Sequence, residues 1–390
     1  MKILFLALDI NLGNKTGDSI HVRELASHLA ELGNEIILIT ADIDEKSDLA
    51  WSKKIPNLKL FFNKTEKKFR NISTLVYCKK IAIKFNVDII YERRSSPKVG
   101  VSLGKLLKIP VIIEVNGLPE LEAEMYNGAK KKKSFDWSIK NSISSQFYKF
   151  ADGIIAVTLG IKREIIQKYG VESNKIFVIQ NGANLSLFKP MAQNLCRNKL
   201  GLNQNDKYIC YVGNLAPWQG VEYLIKAAPL ILEKENKINF IIIGDGILGN
   251  DLRRAVKNSN FFDKFLFTGK VPYEKVPGYI NSSDVCVAPF IRARNERIGL
   301  SPLKIYEYLA CGKPVVASDI EGVGSFLRET KSGIAVEPEN HEKLADGLIE
   351  LLQKENMAKE MGRNGREIVI KKHGWDNVAK QVMEVCRFLS

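Results

Sequence analysis

The sequence alternates strand-like and helix-like segments, and it does so twice. In the first half, the apolar run KILFLAL (2–8) precedes GDSIHVRELASHLAELGN (17–34), whose apolar residues recur at helical spacing, and EIILIT (35–40) follows. Short β-branched runs between helical segments are typical of βαβ units with a buried parallel sheet. The further strand-like runs of this half are VDIIYER (87–93), PVIIEVNG (110–117), DGIIAVT (152–158) and KIFVIQNG (175–182).

The same alternation restarts after LFKPM (187–191), with KYICYVGNL (207–215) as a second initial strand and GVEYLIKAAPLILEKE (220–235) as a helix. The sequence therefore predicts an α/β protein with two doubly wound domains, residues 1–188 and 189–372. No Gly/Ser linker separates them, so we expect them to face each other across a deep cleft. The last segment, 373–390, contains a helix whose apolar side needs a surface to pack on. The later strand-like runs are INFIIIGDG (238–246), DVCVAPF (284–290) and KPVVASD (313–319).

Composition narrows the class of protein. No stretch of about 18 apolar residues is present, so no transmembrane helix is expected, and MKILFLALDI (1–10) is interpreted as a first strand rather than a cleaved signal peptide. The six cysteines are scattered without a CxxC pair, and the four histidines stand at unrelated spacings. These patterns favour reduced, mostly buried thiols in a cytoplasmic protein over disulfides or a metal site.

The chain is basic, with a net charge of +14, and the excess is concentrated in its first half. Lys and Arg outnumber Asp and Glu by 30 to 20 in residues 1–190 and by 28 to 24 in the remainder. Runs such as KKFR (67–70) and KKKK (130–133) are often only solvated surface. They also favour an anionic partner, namely a membrane surface, a nucleic acid or a charged substrate.

A helix start with an unexpected cation lies in RIGLSPLKIYEYLACGKPVVAS (297–318). Ser301 and Pro302 are typical of the N-cap and the first helical position, which puts Lys304 in the first turn, where the helix dipole disfavours a cation. A phosphate or diphosphate at this helix start would explain the lysine. The free N–H groups, the Ser301 hydroxyl and the Lys304 ammonium would then all point at the anion.

Glu307 follows three residues after Lys304, on the same face of the predicted helix. A carboxylate opposes phosphate binding, but it accepts hydrogen bonds from the two hydroxyls of a ribose. Lys304 and Glu307 together therefore suit a nucleoside diphosphate. A surface ion pair between them is the simpler alternative, and it leaves the Ser-Pro start and the neighbouring glycines unexplained.

Other strand ends carry further candidate ligand loops, because open α/β sheets bind ligands beyond the carboxyl ends of their strands. Gly17, Gly213 and Gly244 each follow a predicted strand, and each would let the main chain approach a ligand closely. Val271-Pro272 interrupts regular pairing and leaves main-chain groups available to a flat heterocycle. For each of these segments an ordinary loop or turn is the alternative.

In their order and spacing these segments resemble the GT-B glycosyltransferases of family 4, a retaining group that uses nucleotide sugars. The resemblance implies two facing Rossmann-like domains, with the donor bound mainly by the C-terminal one and the acceptor by the N-terminal one. The last helix would cross back to the N-terminal domain, and no metal or other cofactor is implied. The segments that carry the resemblance are residues 2–33, VIQNGANLSLFKP (178–190), YVGNLAPWQGVEYLI (211–225), IIIGDG (241–246), FTGKVPYEKVPGYINSSDVCVAPF (267–290) and GLSPLKIYEYLACGKPVVASD (299–319).

The resemblance also implies roles for individual residues. The main chain of Lys270, Val271 and Pro272 would hold the base, Glu307 the ribose, and Gly17 would approach the diphosphate from the other domain. Lys304, Glu307 and Ser301 would be the catalytic residues. The remaining donor contacts would come from Gly213, Asn214, Gly244, Gly299, Leu300, Pro302 and Leu303.

Three positions depart from the pattern of this family. Gly299 stands where most members carry the first glutamate of an E-x7-E pattern, of which Glu307 is the second. Asn214 and Gln219 stand where many members carry an arginine and a lysine that clamp the diphosphate. Lys304 could replace the missing clamp, and a subset of the family with SPLK at this place shares the arrangement.

On the acceptor side, Asn116 stands where the family often has a histidine. Glu114 and Asn116 are candidates for polar contacts with the acceptor. Arg93 or Arg94 could meet an acceptor phosphate, and His21 on the first helix is a further candidate.

We therefore expect a cytoplasmic retaining glycosyltransferase, either free or peripheral at the inner face of the cell membrane. It would move a sugar from a nucleotide-diphosphate sugar to a glycan or lipid-linked acceptor of the cell envelope. Front-face attack would let Lys304 and the helix start stabilise the leaving diphosphate. The alternatives are a nucleotide-sugar 2-epimerase of the same fold and a non-enzymatic basic protein that binds membrane or nucleic acid. No recognised nucleic-acid motif is present in the sequence, so no nucleic-acid partner is expected.

Overall fold

The computed structural model describes residues 1–14, 16–41, 50–63, 70–93, 99–118 and 146–390. The described chain forms two compact units. One consists of Met1–Asn181 with Trp375–Ser390, and the other of Gly182–Gly374. Each unit contains one parallel sheet with helices, which confirms the predicted α/β class with two Rossmann-like domains.

The sheet of the first unit has seven strands in the described chain: β1 Lys2–Ala7, β2 Glu35–Ala41, β3 Leu58–Asn63, β4 Ile89–Arg93, β5 Val111–Val115, β6 Gly153–Ala156 and β7 Ile176–Val178. Their order is β3-β2-β1-β4-β5-β6-β7, and all neighbours are parallel. Ile3 of β1 is aligned with Ile36 of β2 and with Ile89 of β4. Strand order therefore reverses between β1 and β4, the position at which open sheets bind ligands.

Four described helices connect these strands: α1 Gly17–Glu31, α2 Arg70–Phe85, α3 Val99–Leu107 and α4 Leu159–Tyr169. Helix α1 buries Val22, Leu25 and Leu29 on one face. It ends just before Gly33, whose φ of 83° is a conformation that glycine adopts without strain.

The sheet of the second unit has six strands: β8 Lys207–Val212, β9 Ile238–Ile243, β10 Phe265–Gly269, β11 Val285–Ala288, β12 Val315–Ser318 and β13 Gly333–Val336. Their order is β10-β9-β8-β11-β12-β13, again parallel throughout. The order reverses between β8 and β11. The loops that leave these two strands lead to residues 213–219 and to the helix that carries Lys304.

The helices of the second unit lie on both sides of its sheet in sequence order, and two apolar cores hold them to it. They are α5 Gln193–Leu200, α6 Val221–Lys234, α7 Gly249–Lys257, α8 Val276–Ser282, α9 Ala293–Ile298, α10 Leu303–Ala310, α11 Gly324–Thr330, α12 His341–Gln353 and α13 Glu355–Lys372.

The last helix, α14 Trp375–Leu389, belongs to the first unit and packs against α1. Its buried side chains include Val378, Val382 and Val385, so the apolar stripe seen in the sequence does find a surface. Residues 182–188, which the sequence places in the first domain, group with the second unit. The reason is that Ala183 pairs with Gly374 and Phe188 is buried in the second unit's core.

Two predictions from composition can be compared with the structure. All six cysteines are buried free thiols, as their scattered spacing predicts. Among the residues that the structure describes, no helix is both long and apolar enough to cross a membrane.

Candidate active site

Helix α10 begins one residue later than the sequence predicts. Pro302 has an extended conformation, with φ −83° and ψ 126°, so it is the N-cap, and Leu303 is the first helical residue. The assignment of Ser301 as N-cap is therefore wrong. Its buried hydroxyl lies 3.4 Å from the hydroxyl of Tyr306 instead. Lys304 remains in the first turn, at the second helical position.

Lys304 is buried, with 9% of its surface exposed. Its ammonium donates a hydrogen bond to Oε1 of Gln219 at 2.7 Å and lies 4.1 Å from the centroid of the Tyr211 ring. Burial lowers the pKa of Lys304 to about 7, although the Glu307 carboxylate acts in the opposite direction. The alternative of a surface ion pair with Glu307 does not fit these contacts, because both residues are buried.

Two tyrosines hold the loop after β8 against this lysine. The Tyr211 hydroxyl donates to the carbonyl of Asn214 at 2.9 Å and lies 3.3 Å from Oε1 of Gln219. The N–H of Val212 donates to the hydroxyl of Tyr308, a residue of α10, at 2.7 Å. We call Lys304, Gln219, Tyr211 and Gly213 the Lys304 cluster.

The position of the Lys304 side chain requires a glycine at residue 213. Its φ of 148° disfavours other residues, and a Cβ at this position would lie 2.5 Å from Nζ and 3.0 Å from Cε of Lys304. The glycine predicted to let the main chain approach a ligand thus also makes the space that the Lys304 ammonium occupies. Asn214, the next residue, is exposed.

Glu307 is connected to the segment predicted to hold a base. Its Oε1 accepts a hydrogen bond from the hydroxyl of Tyr273 at 2.8 Å, and Tyr273 directly follows Lys270, Val271 and Pro272. Within the described chain, no main-chain hydrogen bond engages the N–H or C=O of Lys270 or Val271. Tyr273 therefore places an unpaired stretch of main chain beside a buried carboxylate.

The glycine turn after β9 has a packing explanation. Gly244 has a φ of 123°, and a Cβ there would collide with the carbonyl oxygen of Gly213. The N–H of Gly213 donates to the carbonyl of Ile243, and the N–H of Gly244 to the carbonyl of Gly269, each at 2.9 Å. These contacts join the ends of β8, β9 and β10, so the need for glycine at 244 arises from its neighbouring loop.

The loop that contains Glu321 fixes the start of the segment 299–303. Gly299 is buried, with a φ of 67°, so a glutamate at this position would be strained. The N–H of Leu300 donates to the carbonyl of Glu321 at 2.8 Å. The absence of the first family glutamate thus matches a backbone conformation that favours glycine. Pro302 and Leu303 are half-buried.

The first unit brings three of its acceptor-side candidates together around the carboxylate of a fourth. Glu114, at the end of β5, is 1% exposed. It lies 2.9 Å from Nε2 of His21 and 3.4 Å from Nε of Arg93, and it accepts hydrogen bonds from Asn116 and from the hydroxyl of Tyr91. We call these five residues the Glu114 cluster.

The electrostatics of the Glu114 cluster follow from its burial. Burial alone would raise the pKa of Glu114, but His21, Arg93 and the Tyr91 hydroxyl overcome this effect and lower it to about 2. Burial opposes the charge of Arg93 as well, yet Glu114 and Asp18 raise its pKa above the ordinary value. The guanidinium of Arg93 donates to Asp18, in the first turn of α1, at 2.9 Å.

Sequence reasoning missed four members of this neighbourhood, Asp18, Tyr91, Asn181 and Trp375. Nδ1 of His21 lies 2.9 Å from the side-chain oxygen of Asn181, and its ring lies edge-on to Trp375 with centroids 4.9 Å apart. Only tertiary packing brings these residues to α1, so no local pattern could have revealed them. Gly17 is the exposed first residue of α1.

Some predictions fall on other parts of the chain. Arg94, residues 67–69 and the lysine run 130–133 lie outside the described residues. In the ranges that the structure does describe, no three His, Cys, Asp or Glu side chains lie together as metal ligands would.

Comparison with known proteins places this architecture in a class. Sucrose-phosphate synthase from Thermosynechococcus elongatus superimposes on this chain with a TM-score of 0.80 at 19% identity. The superposition covers 100% of this chain and 99% of the synthase chain. Anabaena Alr3699/HepE, solved in complex with UDP-glucose, gives a TM-score of 0.79 at 19% identity, with 99% of each chain covered. The chain thus has the GT-B fold, with two Rossmann-like domains.

The family follows from sequence. Residues 16–187 match the model of glycosyltransferase family 4, and residues 193–368 match the model of glycosyl transferases group 1. An uncharacterized glycosyltransferase from Methanocaldococcus jannaschii is 28% identical over 96% of this chain and 95% of its own length. The chain belongs to the group 1 glycosyltransferases, and the family resemblance seen in the sequence is confirmed at this level.

Proposed function

We propose that the protein transfers a sugar from a nucleoside-diphosphate sugar, and that Lys304 neutralises the diphosphate. The observation that carries the proposal is a lysine buried in the first turn of α10, where the helix dipole disfavours it and burial lowers its pKa to about 7. A bound dianion removes both disadvantages, because it favours the protonated amine. The UDP-glucose complex of Anabaena HepE supports a nucleotide-sugar donor.

The other donor contacts are assigned by chemistry. Glu307 would accept hydrogen bonds from the ribose hydroxyls, with Tyr273 holding its carboxylate in place. The main-chain groups of Lys270 and Val271 would hydrogen-bond the base, since no other main-chain group of the described chain engages them. Gln219 would orient the Lys304 ammonium toward the phosphates.

We propose retention of the anomeric configuration by front-face attack. The leaving diphosphate would accept the proton of the acceptor hydroxyl as the new glycosidic bond forms and the sugar–phosphate bond breaks. Lys304 and the N–H groups at the start of α10 would stabilise the growing negative charge. We also propose that no metal is needed, because the lysine supplies the cation. Determining the anomeric configuration of the product by NMR tests retention, and activity in excess EDTA tests the second point.

We propose a glycan or lipid-linked acceptor of the cell envelope, bound by the first unit. The basic excess of residues 1–190 supports an acceptor or surface that carries negative charge. Asp18, whose side chain is 64% exposed, is the carboxylate of this neighbourhood that would meet an acceptor hydroxyl, and Arg93, which also pairs with the buried Glu114, would hold it in place.

A 2-epimerase is the second enzymatic candidate, and the named relatives do not favour it. Incubation with a nucleotide sugar in the absence of acceptor distinguishes the two. An epimerised nucleotide sugar would support the rival, whereas transfer that depends on added acceptor supports the proposal. A thermal-shift screen of nucleotide sugars identifies the donor first, because a ligand that binds the native state raises its apparent stability.

Glu307→Ala is expected to weaken nucleoside diphosphate binding by about 1–3 kcal/mol, because the ribose hydroxyls lose their acceptor. Glu307→Gln should lie between this variant and the wild type. Tyr273→Phe keeps the carboxylate and removes only its 2.8 Å hydrogen bond, so a loss of a few-fold is expected. Isothermal titration calorimetry measures all four proteins. Equal affinity in wild type and Glu307→Ala would remove Glu307 from the site.

Gly213→Ala is expected to lower kcat/KM at least tenfold, because the new methyl group displaces the Lys304 ammonium. Gly201→Ala is the matched control. Gly201 also has a positive φ, 68°, but a Cβ there meets no atom within 4 Å. Both variants should lose about 1 kcal/mol of stability from backbone strain, and only Gly213→Ala should lose activity. Equal activity in the two variants would mean that the amine position is unimportant.

A further inference from the structure

Helix α2 exposes aliphatic side chains on the face that points away from its unit. Ile72, Val76 and Ile83 are 73%, 47% and 59% exposed. Their spacing of four and seven residues places them along one side of the helix. The opposite side is buried, as Cys78 and Ala82 show. This helix therefore carries apolar residues toward its own core and also toward solvent.

The same outer face is basic. Lys79 lies between Val76 and Ile83 on it, and Lys80 and Lys84 are exposed beside it. Residues 70–85 contain no aspartate or glutamate. We call Ile72, Val76, Ile83, Lys79 and Lys80 the α2 face. Single exposed aliphatic residues are ordinary on protein surfaces, but a row of three among lysines without an acidic residue is not.

The charge and the aliphatic groups together select one kind of partner. A second copy of the helix would bring lysines against lysines, which disfavours self-association through this face. The phosphates of a nucleic acid would satisfy the lysines but offer no apolar surroundings to the isoleucines. An anionic lipid surface supplies phosphate groups for the lysines and the upper acyl region for the aliphatic side chains.

We propose that the α2 face docks the protein on an anionic phospholipid surface. The side chains of Ile72, Val76 and Ile83 enter the region between head groups and acyl chains, and Lys79 and Lys80 contact lipid phosphates. The proposal identifies a surface for the membrane partner that composition suggests. It does not depend on the proposed donor or acceptor, since docking needs neither.

Vesicle co-sedimentation of the full chain tests this surface. Vesicles of phosphatidylcholine alone are compared with vesicles containing phosphatidylglycerol, at low and at high salt. The wild type should pellet with the anionic vesicles only, and high salt should reduce the pelleted fraction. The double variant Ile72→Ser/Ile83→Ser should bind at least tenfold more weakly, and Lys79→Gln/Lys80→Gln several-fold more weakly.

Ile370→Ser is the matched control, because Ile370 is 45% exposed beside Lys371 and Lys372 on helix α13 of the second unit. It should bind like the wild type. Circular dichroism melting of each variant separates lost docking from lost folding. The proposal is overturned if the wild type does not pellet, if it pellets equally with neutral vesicles, or if a folded Ile72→Ser/Ile83→Ser variant binds as well as the wild type. Binding to RNA in place of vesicles, or dimerisation through α2, overturns it as well.

Discussion

Lys304→Met should lose about 100- to 1,000-fold in kcat/KM and, at neutral pH, become more stable than the wild type. The loss of activity corresponds to removing one charge-stabilising donor from the transition state, about 2.7–4 kcal/mol. The gain in stability arises because methionine fills the space of the lysine stem without a buried amine. Residues that serve function at a cost to stability commonly show this opposition.

The stability effect has a defined dependence on pH. The pKa of Lys304 is lowered from 10.5 to about 7 in the folded protein. Between these values the unfolded chain binds more protons than the folded one, so wild-type stability rises with pH across this range. Lys304→Met lacks this term. Its advantage, on the order of a few kcal/mol at most, should therefore be largest at pH 7 and below and shrink as the pH approaches 10.5.

Lys313→Met is the control for this experiment. Burial also lowers the pKa of Lys313, whose ammonium donates to the carbonyl of Ser283 at 2.7 Å, outside the Lys304 cluster. This variant should alter stability with little change in activity. Steady-state kinetics and denaturant unfolding at several pH values measure both quantities. Wild-type activity within a factor of three in Lys304→Met would show that the lysine does not hold the diphosphate.

Glu114→Ala should destabilise the protein by about 3–5 kcal/mol, because it leaves the buried guanidinium of Arg93 without its main counter-charge. Tyr91 and Asn116 lose their hydrogen-bond acceptor in the same variant, and His21 loses the carboxylate that lies 2.9 Å from its Nε2. Glu114→Gln keeps the shape and one acceptor oxygen, so a smaller loss is expected. Glu172→Ala, at an exposed glutamate of the same unit, should stay within about 0.5 kcal/mol of the wild type.

The acid limb of the stability curve gives a second measurement of the same residue. The pKa of Glu114 falls from 4.5 to about 2 on folding, so its contribution is complete above pH 4.5 and is lost as the pH falls toward 2. Glu114→Gln should flatten this part of the curve. A loss below 1 kcal/mol in Glu114→Ala, with an unchanged acid limb, would show that the cluster contributes little to the fold.

Much of the fold is readable from the sequence because both sheets are parallel and buried. Runs such as KILFLAL and INFIIIGDG are apolar and β-branched over their whole length, which distinguishes them from the amphipathic helices between them. Strands β3, LKLFFN, β10, FLFTG, and β13, GIAV, are absent from the sequence prediction. All three lie at the edge of a sheet, where a strand needs less apolar sequence, and β13 is short and begins with glycine.

The sequence predicts those residues of the candidate site that lie within a single local pattern. Lys304 and Glu307 stand three residues apart on one helix. Gln219 is noticeable in the sequence because many members of the family carry a basic residue at this position. The 2.7 Å hydrogen bond between Lys304 and Gln219 joins residues 85 positions apart in the sequence, so it could not be derived from the pattern alone. Tyr273 and Asp18 were missed, because a tyrosine hydroxyl or a helix-start carboxylate acquires its partner only through tertiary packing.

The most direct test of the account is calorimetric titration of the wild type and Lys304→Met with nucleoside diphosphates at pH 8, in two buffers of different protonation enthalpy. The empty wild-type site holds Lys304 largely neutral at this pH, so binding of the preferred nucleoside diphosphate should take up about one proton per site. Lys304→Met should bind it at least tenfold more weakly, without proton uptake. Equal affinity in the two proteins, with no proton taken up by the wild type, would contradict the assignment of Lys304 as the residue that neutralises the diphosphate.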